Sequence, residues 1–179
     1  MSGFLENEGI KAVCFDIDGT FYPLFQTRLR VALASLSSLP FALSYNKARQ
    51  RVRTEDSFLS LPPLSEKERA ERMCRYMWDR SDEESISYFI GKEKKVFFDR
   101  YARLFSGIKP MGIEDYFSVI LSSEEWGRYK PCLTPFELMR DEMKVESRDI
   151  LYVGDSLRKD IEGAGRAGLR TALLGKKKD

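Results

Sequence analysis

The sequence predicts an α/β fold: a Rossmann-like parallel sheet of about four strands, flanked by helices, with an α-helical region inserted near its start. Three observations support this prediction. The apolar run KAVCF at 11–15 is short and is followed at once by a carboxylate, as is typical of a buried strand. Residues 24–105 have helical periodicity, and strand-like and helix-like segments alternate from residue 117. We therefore expect an α/β core at 1–23 and 106–179 and a helical insertion at 24–105.

The inserted region is predicted to consist of amphipathic helices. Apolar side chains recur three or four positions apart in three stretches: Leu29, Ala32, Leu33 and Leu36; Ala70, Met73, Cys74, Met77 and Trp78; and Phe97, Phe98, Tyr101, Leu104 and Phe105. Ser65 with Glu68, and Ser81 with Glu84, have the spacing of a capping box, which predicts that helices begin at these serines. LPPLS at 61–65 predicts a loop.

The second half of the chain is predicted to alternate between strands and helices. Strands are expected at 118–121, 150–153 and 171–174. The helix TPFELMRDEM has Thr134 as its predicted N-cap with Glu137 completing a capping box, and the helix SLRKDIEGAGRAG is predicted to close at Gly168. Such alternation makes a parallel sheet, which binds ligands at the carboxyl ends of its strands.

The composition excludes several classes of function. The chain has no histidine, which rules out Ser-His-Asp catalysis, histidine phosphotransfer and zinc sites that contain histidine. The formal net charge of +2 argues against a nucleic-acid partner, and no apolar stretch is long enough to span a membrane. The three cysteines form no CxxC pair and the N-terminus lacks the pattern of a signal peptide, so we expect a reduced, cytoplasmic protein.

Charged side chains gather where predicted strands end or in the loops that follow: Asp16, Asp18, Lys130, Asp155 and Asp160. Carboxylates crowded at one sheet edge need a cation, and oxygen ligands without histidine or thiolate favour Mg²⁺. A carboxylate beside that metal can attack phosphorus, a second can transfer a proton, and a lysine can balance charge. Taken alone, an Asp-Gly pair after a strand more often makes a plain turn.

Three motifs, in this order, resemble the phosphatases of the haloacid dehalogenase-like superfamily. DIDGT at 16–20 matches the family's DxDGT motif, KP at 130–131 matches its lysine motif, and GDS at 154–156 with Asp160 matches its acidic motif. The stretch 111–174 is similar to the family throughout. The second aspartate of DxDGT favours phosphatases, because true dehalogenases usually lack it.

This resemblance implies Mg²⁺-dependent hydrolysis of a small phosphate monoester through an aspartyl-phosphate intermediate. It makes Asp16 the nucleophile and a metal ligand, and Asp18 the general acid/base and a metal ligand through its backbone carbonyl. Lys130 would complete the catalytic group by balancing the charge of the nucleophile and of the phosphoryl group. The helical insertion at 24–105 corresponds to the family's cap, which closes over small phosphorylated metabolites.

The remaining assignments implied by the resemblance concern the metal and the substrate. Asp155 would be a metal ligand, with Asp160 supporting the metal directly or through water. Gly19 and Thr20 of the first motif would contact the substrate. Asp160, considered alone, is equally well explained as a first-turn residue that interacts with a helix dipole.

One departure from the family concerns the segment before residue 111. The family normally has a helix and a second core strand there, and a Ser or Thr at the end of that strand binds the phosphoryl group; RLFSGIKPMGIEDYF leaves no room for them. Strand 118–121 could instead pair with the first strand and present Ser122 as a substitute hydroxyl. Alternatively Ser122 only begins a loop, or a second copy of the chain covers the open edge in a homodimer.

Two functions remain open: the phosphatase, and a non-catalytic relative that binds metal or phosphate but has lost turnover. Three other patterns have structural interpretations. GAGRAG at 163–168 ends a helix instead of opening one, so it does not indicate a dinucleotide site. CRYMWDR at 74–80 fits an amphipathic helix better than a cysteine-phosphatase loop. Lys47, Arg49, Arg51 and Arg53 form a basic run that is either a solvated face or a surface that attracts anionic substrates.

Overall fold

The computed structural model describes residues 7–21, 38–98 and 112–175. Their sheet has three parallel strands in the order β1 (Ala12–Phe15), β2 (Ile150–Gly154) and β3 (Arg170–Leu173). Ala12 pairs with Ile150, and Leu151 pairs with Arg170. All three strands therefore end at the same edge of the sheet, which confirms the predicted α/β fold with a parallel sheet.

The predicted strand at 118–121 is wrong. This segment is irregular and lies outside the sheet, between a 3₁₀ turn at Glu114–Tyr116 and the short helix that begins at Ser123. The ring of Phe117 packs edge-on against Phe15 and Phe21, at centroid distances of 6.4 and 5.9 Å. Ile120, by contrast, is 46% exposed, so this apolar run lacks the burial on both sides that its sequence suggested.

In the described part of the inserted region, three helices follow β1: α1 (Leu39–Glu55), α2 (Glu66–Trp78) and α3 (Glu83–Glu93), the last of which continues into a π-helical segment at Lys94–Phe98. The capping box of Ser65 and Glu68 is confirmed. The capping box predicted at Ser81 is wrong, because Asp82 caps α3 by accepting a hydrogen bond from the backbone N–H of Ser85 at 2.9 Å. The apolar stripe predicted at 29–36 lies outside the described residues, as do positions 101, 104 and 105 of the stripe predicted at 97–105.

The second half contains α4 (Ser123–Trp126), α5 (Thr134–Met143) and α6 (Gly163–Arg166), with a 3₁₀ turn at Ser147–Asp149 and a π-helical turn at Leu157–Glu162. Thr134 does not cap α5 as predicted. Its hydroxyl donates to the carbonyl oxygen of Leu61 at 2.5 Å, so a contact with the inserted region replaces the local cap. Gly168 has a φ of +83° after α6, as the predicted helix end requires.

Two buried clusters form the core of the described residues. One joins α1, α2 and α3, and its large members are Phe41, Tyr45, Val52, Met73, Phe89 and Tyr129. The other covers the sheet and contains Cys14, Phe136, Ile150, Tyr152, Ala164 and Leu169. Tyr129 belongs to the helical cluster although it lies in the loop before α5. None of the helices in the described part of the chain is both long and apolar enough to cross a membrane.

The loop before α5, residues 127–133, is bound along one side by the linker between α1 and α2, residues 56–65. Backbone N–H groups of Phe58 and Leu64 donate to the carbonyl oxygens of Pro131 and Trp126, at 3.1 and 3.0 Å. The N–H of Leu133 donates back to Leu59 at 2.9 Å. The inserted helices therefore help to fix the position of this loop, which carries Lys130.

Candidate active site

Two carboxylates lie at the carboxyl ends of neighbouring strands. Asp16 directly follows β1, and its backbone N–H donates to the carbonyl oxygen of Val153 on β2 at 2.9 Å. Asp155 directly follows β2. Asp16 and Asp155 are 139 positions apart in sequence (155 − 16). Because β1 and β2 are parallel neighbours in the sheet, the two aspartates nevertheless lie only about one strand spacing apart.

A third carboxylate, that of Asp160, completes an acidic cluster. One carboxylate oxygen from each of Asp16, Asp155 and Asp160 lies within 4.8 Å of the others. Asp160 is only 1% exposed, and the other two are half-buried. Three like charges at this separation repel strongly in a partly desolvated site, so the cluster needs a positive charge.

Lys130 supplies a positive charge to this cluster. Its Nζ donates to Asp16 Oδ1 and to Asp160 Oδ1, each at 2.5 Å, and to the hydroxyl of Tyr152 at 2.9 Å. Burial acts to lower the pKa of Lys130, but its interactions with Tyr152, Asp16 and Asp160 outweigh burial and raise that pKa. The ammonium group therefore stays protonated and holds the two carboxylates in place.

Asp16 has the electrostatic environment of a desolvated carboxylate. Burial raises the pKa of Asp16 above its ordinary value, although the charge of Lys130 and the hydrogen bond from it act in the opposite direction. The charges of Asp160 and Asp18 raise the pKa further. A carboxylate that is poorly solvated is a better nucleophile than one surrounded by water, provided that a nearby cation keeps it ionised.

Asp160 is held by the backbone of the acidic motif. The N–H of Ser156 donates to Asp160 Oδ2 at 3.0 Å, while Oδ1 accepts from Lys130. A Cβ atom at Gly154 would lie 2.5 Å from the Cβ of Asp160, so only glycine leaves room for the aspartate at this position. This close approach explains why the motif combines Gly154 with an acidic residue six positions later.

The remaining predicted residues lie around this cluster. Asp18 is exposed and is not one of the three clustered carboxylates, although its charge is close enough to raise the pKa of Asp16. Gly19 has a φ of +98°, and the N–H of Thr20 donates to Ile17 at 3.3 Å, so the first motif ends in a tight turn. The Thr20 hydroxyl is buried, with no hydrogen-bond partner among the described residues.

Ser122 is not at the end of a strand, as its predicted role required. It is exposed and precedes α4, and the strand that was expected to bring it beside Asp16 is not present in the described residues. Its role as a substitute phosphate-binding hydroxyl stays a prediction, but the strand on which that prediction depended is not present in the described residues.

Tyr152 is a member of the site that the sequence reasoning missed. Its hydroxyl accepts from Lys130, and the Lys130 ammonium lies 5.4 Å from the centre of its ring. Burial raises the pKa of Tyr152, so the phenol stays neutral. Alternation along β2 puts Tyr152 on the same buried face as Ile150 and Gly154. The sequence signal for this role was the position of Tyr152, whose hydroxyl group comes two residues before the acidic motif.

The fold and the site together define an α/β protein whose parallel strands end in a carboxylate–lysine centre. A family model described as Haloacid dehalogenase-like hydrolase matches residues 99–174. The 2-haloacid dehalogenase of Pseudomonas syringae has the same fold, with a TM-score of 0.56 and 21% identity over 95% of this chain and 90% of that one. Over residues 99–174 the chain is therefore similar to haloacid dehalogenase-like hydrolases, which supports the resemblance that its motifs predicted.

Several proteins that this chain resembles in sequence are named as phosphatases. The ribulose-1,5-bisphosphate 5-phosphatase of Halopiger xanaduensis is 36% identical over 67 residues, which are 37% of this chain and 28% of that protein. The phosphoglycolate phosphatase of Shigella sonnei is 26% identical over an alignment that covers 90% of this chain and 79% of that protein. The chain matches only about a quarter to a third of the length of its first curated relatives.

The longer alignment also shows that this chain is shorter than its relative. The alignment with the Shigella sonnei protein extends over 207 positions, whereas only 90% of the 179 residues take part. More than 40 aligned positions therefore face no residue of this chain.

Proposed function

We propose that this protein is a Mg²⁺-dependent phosphatase that hydrolyses small phosphate monoesters through an aspartyl-phosphate intermediate on Asp16. One observation carries the proposal: the carboxylates of Asp16, Asp155 and Asp160 lie within 4.8 Å of one another, and Lys130 binds two of them. The names of the relatives support this chemistry, since they describe phosphatases of small phosphorylated metabolites.

The acidic cluster suits a hard cation. Its donors are carboxylate oxygens, without the nitrogen or sulfur ligands that select softer metals. Asp16, Asp155 and Asp160 would hold the ion, and the backbone carbonyl of Asp18 is proposed as a further ligand. When bound, Mg²⁺ would neutralise negative charge on the phosphoryl oxygens that otherwise repel the attacking carboxylate.

The chain's own residues would carry out the reaction in two steps. First, an Asp16 oxygen attacks the phosphorus atom and forms an O–P bond while the bond from phosphorus to the ester oxygen breaks, and Asp18 gives its proton to the departing alkoxide. Second, Asp18 takes a proton from a water molecule whose oxygen attacks the same phosphorus, and the bond between phosphorus and the Asp16 oxygen breaks. Inorganic phosphate leaves, and both the Asp16 carboxylate and the Asp18 proton are restored. Lys130 would balance the negative charge that builds up in each step.

Substrate contacts are proposed for the turn that follows Asp18. The buried Thr20 hydroxyl and the backbone at Gly19 could bind a phosphoryl oxygen, because the Thr20 hydroxyl lacks a partner among the described residues. We also propose that residues 24–105 act as the cap over this site. The backbone bonds between the linker at 56–65 and the loop at 127–133 support that role.

A non-catalytic relative that binds metal or phosphate is the second candidate. Two observations favour it: Ser122 is exposed outside any strand, and the chain is shorter than the phosphoglycolate phosphatase with which it aligns. A site that lacks the phosphate-binding hydroxyl would keep its acidic cluster and still orient the phosphoryl group poorly.

The test is phosphate release from a panel of small phosphomonoesters, with and without Mg²⁺. We expect the parent to hydrolyse at least one ester only when Mg²⁺ is present. Asp16→Asn should reduce kcat about 10³-fold or more, because it removes the nucleophile. Asp149→Asn is the matched control, since Asp149 lies at the opposite end of β2 in a pair with Lys11 on the surface.

Each outcome selects one of the two candidates. Hydrolysis that survives Asp16→Asn would show that the aspartyl-phosphate route is wrong. A parent chain that binds Mg²⁺ but releases no phosphate from any ester would favour the non-catalytic relative.

A further inference from the structure

The three N–H groups of the Lys130 ammonium meet three acceptors in this protein. Two of them are carboxylate oxygens, Asp16 Oδ1 and Asp160 Oδ1, each 2.5 Å from Nζ. The third is the hydroxyl oxygen of Tyr152, 2.9 Å from Nζ. A lysine ammonium has three donors, so this set of partners accounts for all of them. The two aspartates have roles in the proposed reaction, whereas Tyr152 has none in the steps given above.

Tyr152 is held in place by the sheet and by the core. It lies on β2, the middle strand of the described sheet, where it is the register partner of Cys14 on β1 and of Thr171 on β3. Tyr152 is 4% exposed, and its ring packs edge-on against Phe136 at a centroid distance of 5.1 Å. Lys130, in contrast, lies in a loop and has a long side chain that loses much conformational freedom when it is fixed. The hydroxyl is therefore a fixed point to which a flexible side chain is bound.

The hydroxyl of Tyr152, and not the face of its ring, makes this contact. The Lys130 ammonium is 2.9 Å from the hydroxyl oxygen but 5.4 Å from the ring centre, so it lies near the hydroxyl end of the ring. Attraction to a ring face would not select one N–H, whereas a hydrogen bond weakens steeply when its N–H turns away from the acceptor. Once one N–H points at the hydroxyl, the tetrahedral geometry of the ammonium sets where the other two point.

We propose that Tyr152 is a positioning residue, whose hydroxyl binds one N–H of Lys130 and so directs the other two at Asp16 and Asp160. This inference rests on the proposed function, in which Asp16 is the nucleophile. A hydrogen bond to Oδ1 restricts rotation of the Asp16 carboxylate, so the orientation of that carboxylate towards a phosphorus atom depends indirectly on Tyr152. A buried tyrosine hydroxyl needs a partner, and a backbone carbonyl would satisfy it; here the partner is the lysine of the site.

Tyr152→Phe is the test variant, because it removes the hydroxyl and keeps the ring that packs against Phe136. With a phosphomonoester that the parent hydrolyses in the presence of Mg²⁺, we expect kcat to fall about tenfold, as for the loss of one hydrogen bond to a charged group. KM should change by less than about twofold, because Tyr152 acts on Lys130 and not on the substrate.

Ile150→Val is the matched control for this variant. It removes a buried methyl group from the same face of β2, two residues before Tyr152. The loss of that methyl group disturbs the packing of the core without changing a hydrogen bond of Lys130. We expect kcat of this variant to stay within about twofold of the parent value.

A spectroscopic measurement tests the same contact without substrate or Mg²⁺. In the full chain with isotope-labelled lysine, NMR follows the exchange of the Lys130 ammonium hydrogens with water, and Lys130→Arg identifies the signal by its loss. We expect Tyr152→Phe to speed this exchange about tenfold or more, because a hydrogen leaves the ammonium only after its hydrogen bond opens. Ile150→Val should leave the exchange rate close to that of the parent.

These measurements separate the positioning role from the proposed function. If Tyr152→Phe leaves the exchange unchanged, or if Ile150→Val speeds it equally, Tyr152 does not position Lys130, whatever the activity of the parent. If the parent hydrolyses no ester while Tyr152→Phe still speeds the exchange, the phosphatase proposal fails and the contact of Tyr152 with Lys130 stands. If the parent is active and Tyr152→Phe keeps its kcat, the phosphatase stands and the positioning role is wrong.

Discussion

Two groups of charged side chains in this molecule differ in how their charges are balanced. At the strand ends, three carboxylates lie together, and the ammonium group of Lys130 binds two of them. Among the inserted helices and the loop at 127–133, three carboxylates meet four guanidinium groups: Glu55, Asp56 and Glu93 with Arg51, Arg69, Arg72 and Arg128. Negative charge is therefore in excess at the strand ends but not in the helical network.

The helical network has the geometry of a structural ion pair. Arg72 donates to both oxygens of Asp56 at 2.8 Å, and Arg128 donates to Asp56 at 2.9 Å and to the carbonyl of Pro62 at 2.9 Å. Arg69 and Glu93 form a separate pair at 2.6 Å that is almost fully buried. Each charge has a direct partner, so the network needs no ligand, whereas the excess of negative charge at the strand ends favours the binding of a cation.

The largest stability effect is expected from unbalancing the helical network. Arg128→Met leaves Asp56 buried with Arg72 alone and leaves the Pro62 carbonyl without its donor. We expect a loss of about 2–4 kcal/mol in the free energy of unfolding, measured by urea denaturation, and no recovery with Mg²⁺.

The matched control for that prediction is Arg140→Met. Arg140 pairs with Asp141 on the surface, so its loss should cost at most about 0.5 kcal/mol. Recovery of Arg128→Met by Mg²⁺, or an equal cost for the two variants, would show that the network is not a structural counterpart of the acidic centre.

Mg²⁺ should have the next largest effect, and it should act only through the acidic centre. An ion that binds the folded chain alone stabilises it by about 2.7 kcal/mol at a concentration of 100 times its Kd, so the Tm should rise. Asp155→Ala should abolish this rise, while Asp149→Asn, at the other end of β2, should keep it. A parent Tm that does not respond to Mg²⁺ near neutral pH would mean that the centre binds no metal.

Alanine variants of two glycines distinguish the close packing around Asp160 from the general effect of replacing glycine by alanine. Gly154→Ala would place a methyl group 2.5 Å from the Cβ of Asp160, which must then move away from Lys130. We expect a loss of about 1–3 kcal/mol in unfolding free energy, together with a smaller rise in Tm on adding Mg²⁺. Gly165→Ala meets nothing within 4 Å and should be neutral or slightly stabilising. Identical behaviour of the two variants would contradict the close packing inferred for Asp160.

The sequence predicted the centre better than its surroundings. Asp16 and Asp155 could be placed because apolar runs mark where parallel strands end, and strand ends share one edge of the sheet. Lys130 was predicted from the motif that it matches, since the strand expected before its loop is not present in the described residues. The segment at 118–121 could not be placed, because an apolar run does not show whether another strand is available to pair with it. Thr134 was misjudged for a similar reason: its hydroxyl bonds to Leu61, 73 positions away, and local spacing carries no information about that partner.

The sequence did not predict the ion network, and the physical reason is similar. A buried arginine and a solvated arginine look alike in sequence, and the ion pairs of the network form only when α1, α2 and the loop at 127–133 come together. The basic run on α1 illustrates this. Arg51 pairs with Glu55, whereas Arg49 and Arg53 face Tyr129 in that loop, although all three occur within five positions.

The smallest predicted effect concerns how the helical ion network and the acidic centre at the strand ends respond to acid. The hydrogen bond from Tyr76, with those from Arg51 and Arg72, lowers the pKa of Glu55 from 4.5 to about 2. A carboxyl group whose pKa is lower in the folded state stabilises the fold above pH 4.5 and loses that contribution as the pH falls towards 2. Asp16 shifts in the opposite direction, because burial raises its pKa, so protonation of Asp16 does not add to the acid-induced loss.

Glu55→Gln should therefore reduce the loss of unfolding free energy between about pH 5 and pH 2. The reduction should be small, since the Glu55 side chain is 39% exposed and solvent screens its charges. Tyr76→Phe should act in the same direction because it removes the hydrogen bond that contributes most to lowering the pKa of Glu55. Glu142→Gln, at an exposed position of α5, serves as the control. Urea denaturation at a series of pH values measures the effect. If Glu142→Gln flattens the acid response as much as Glu55→Gln does, the response belongs to the carboxylates in general and not to the helical network.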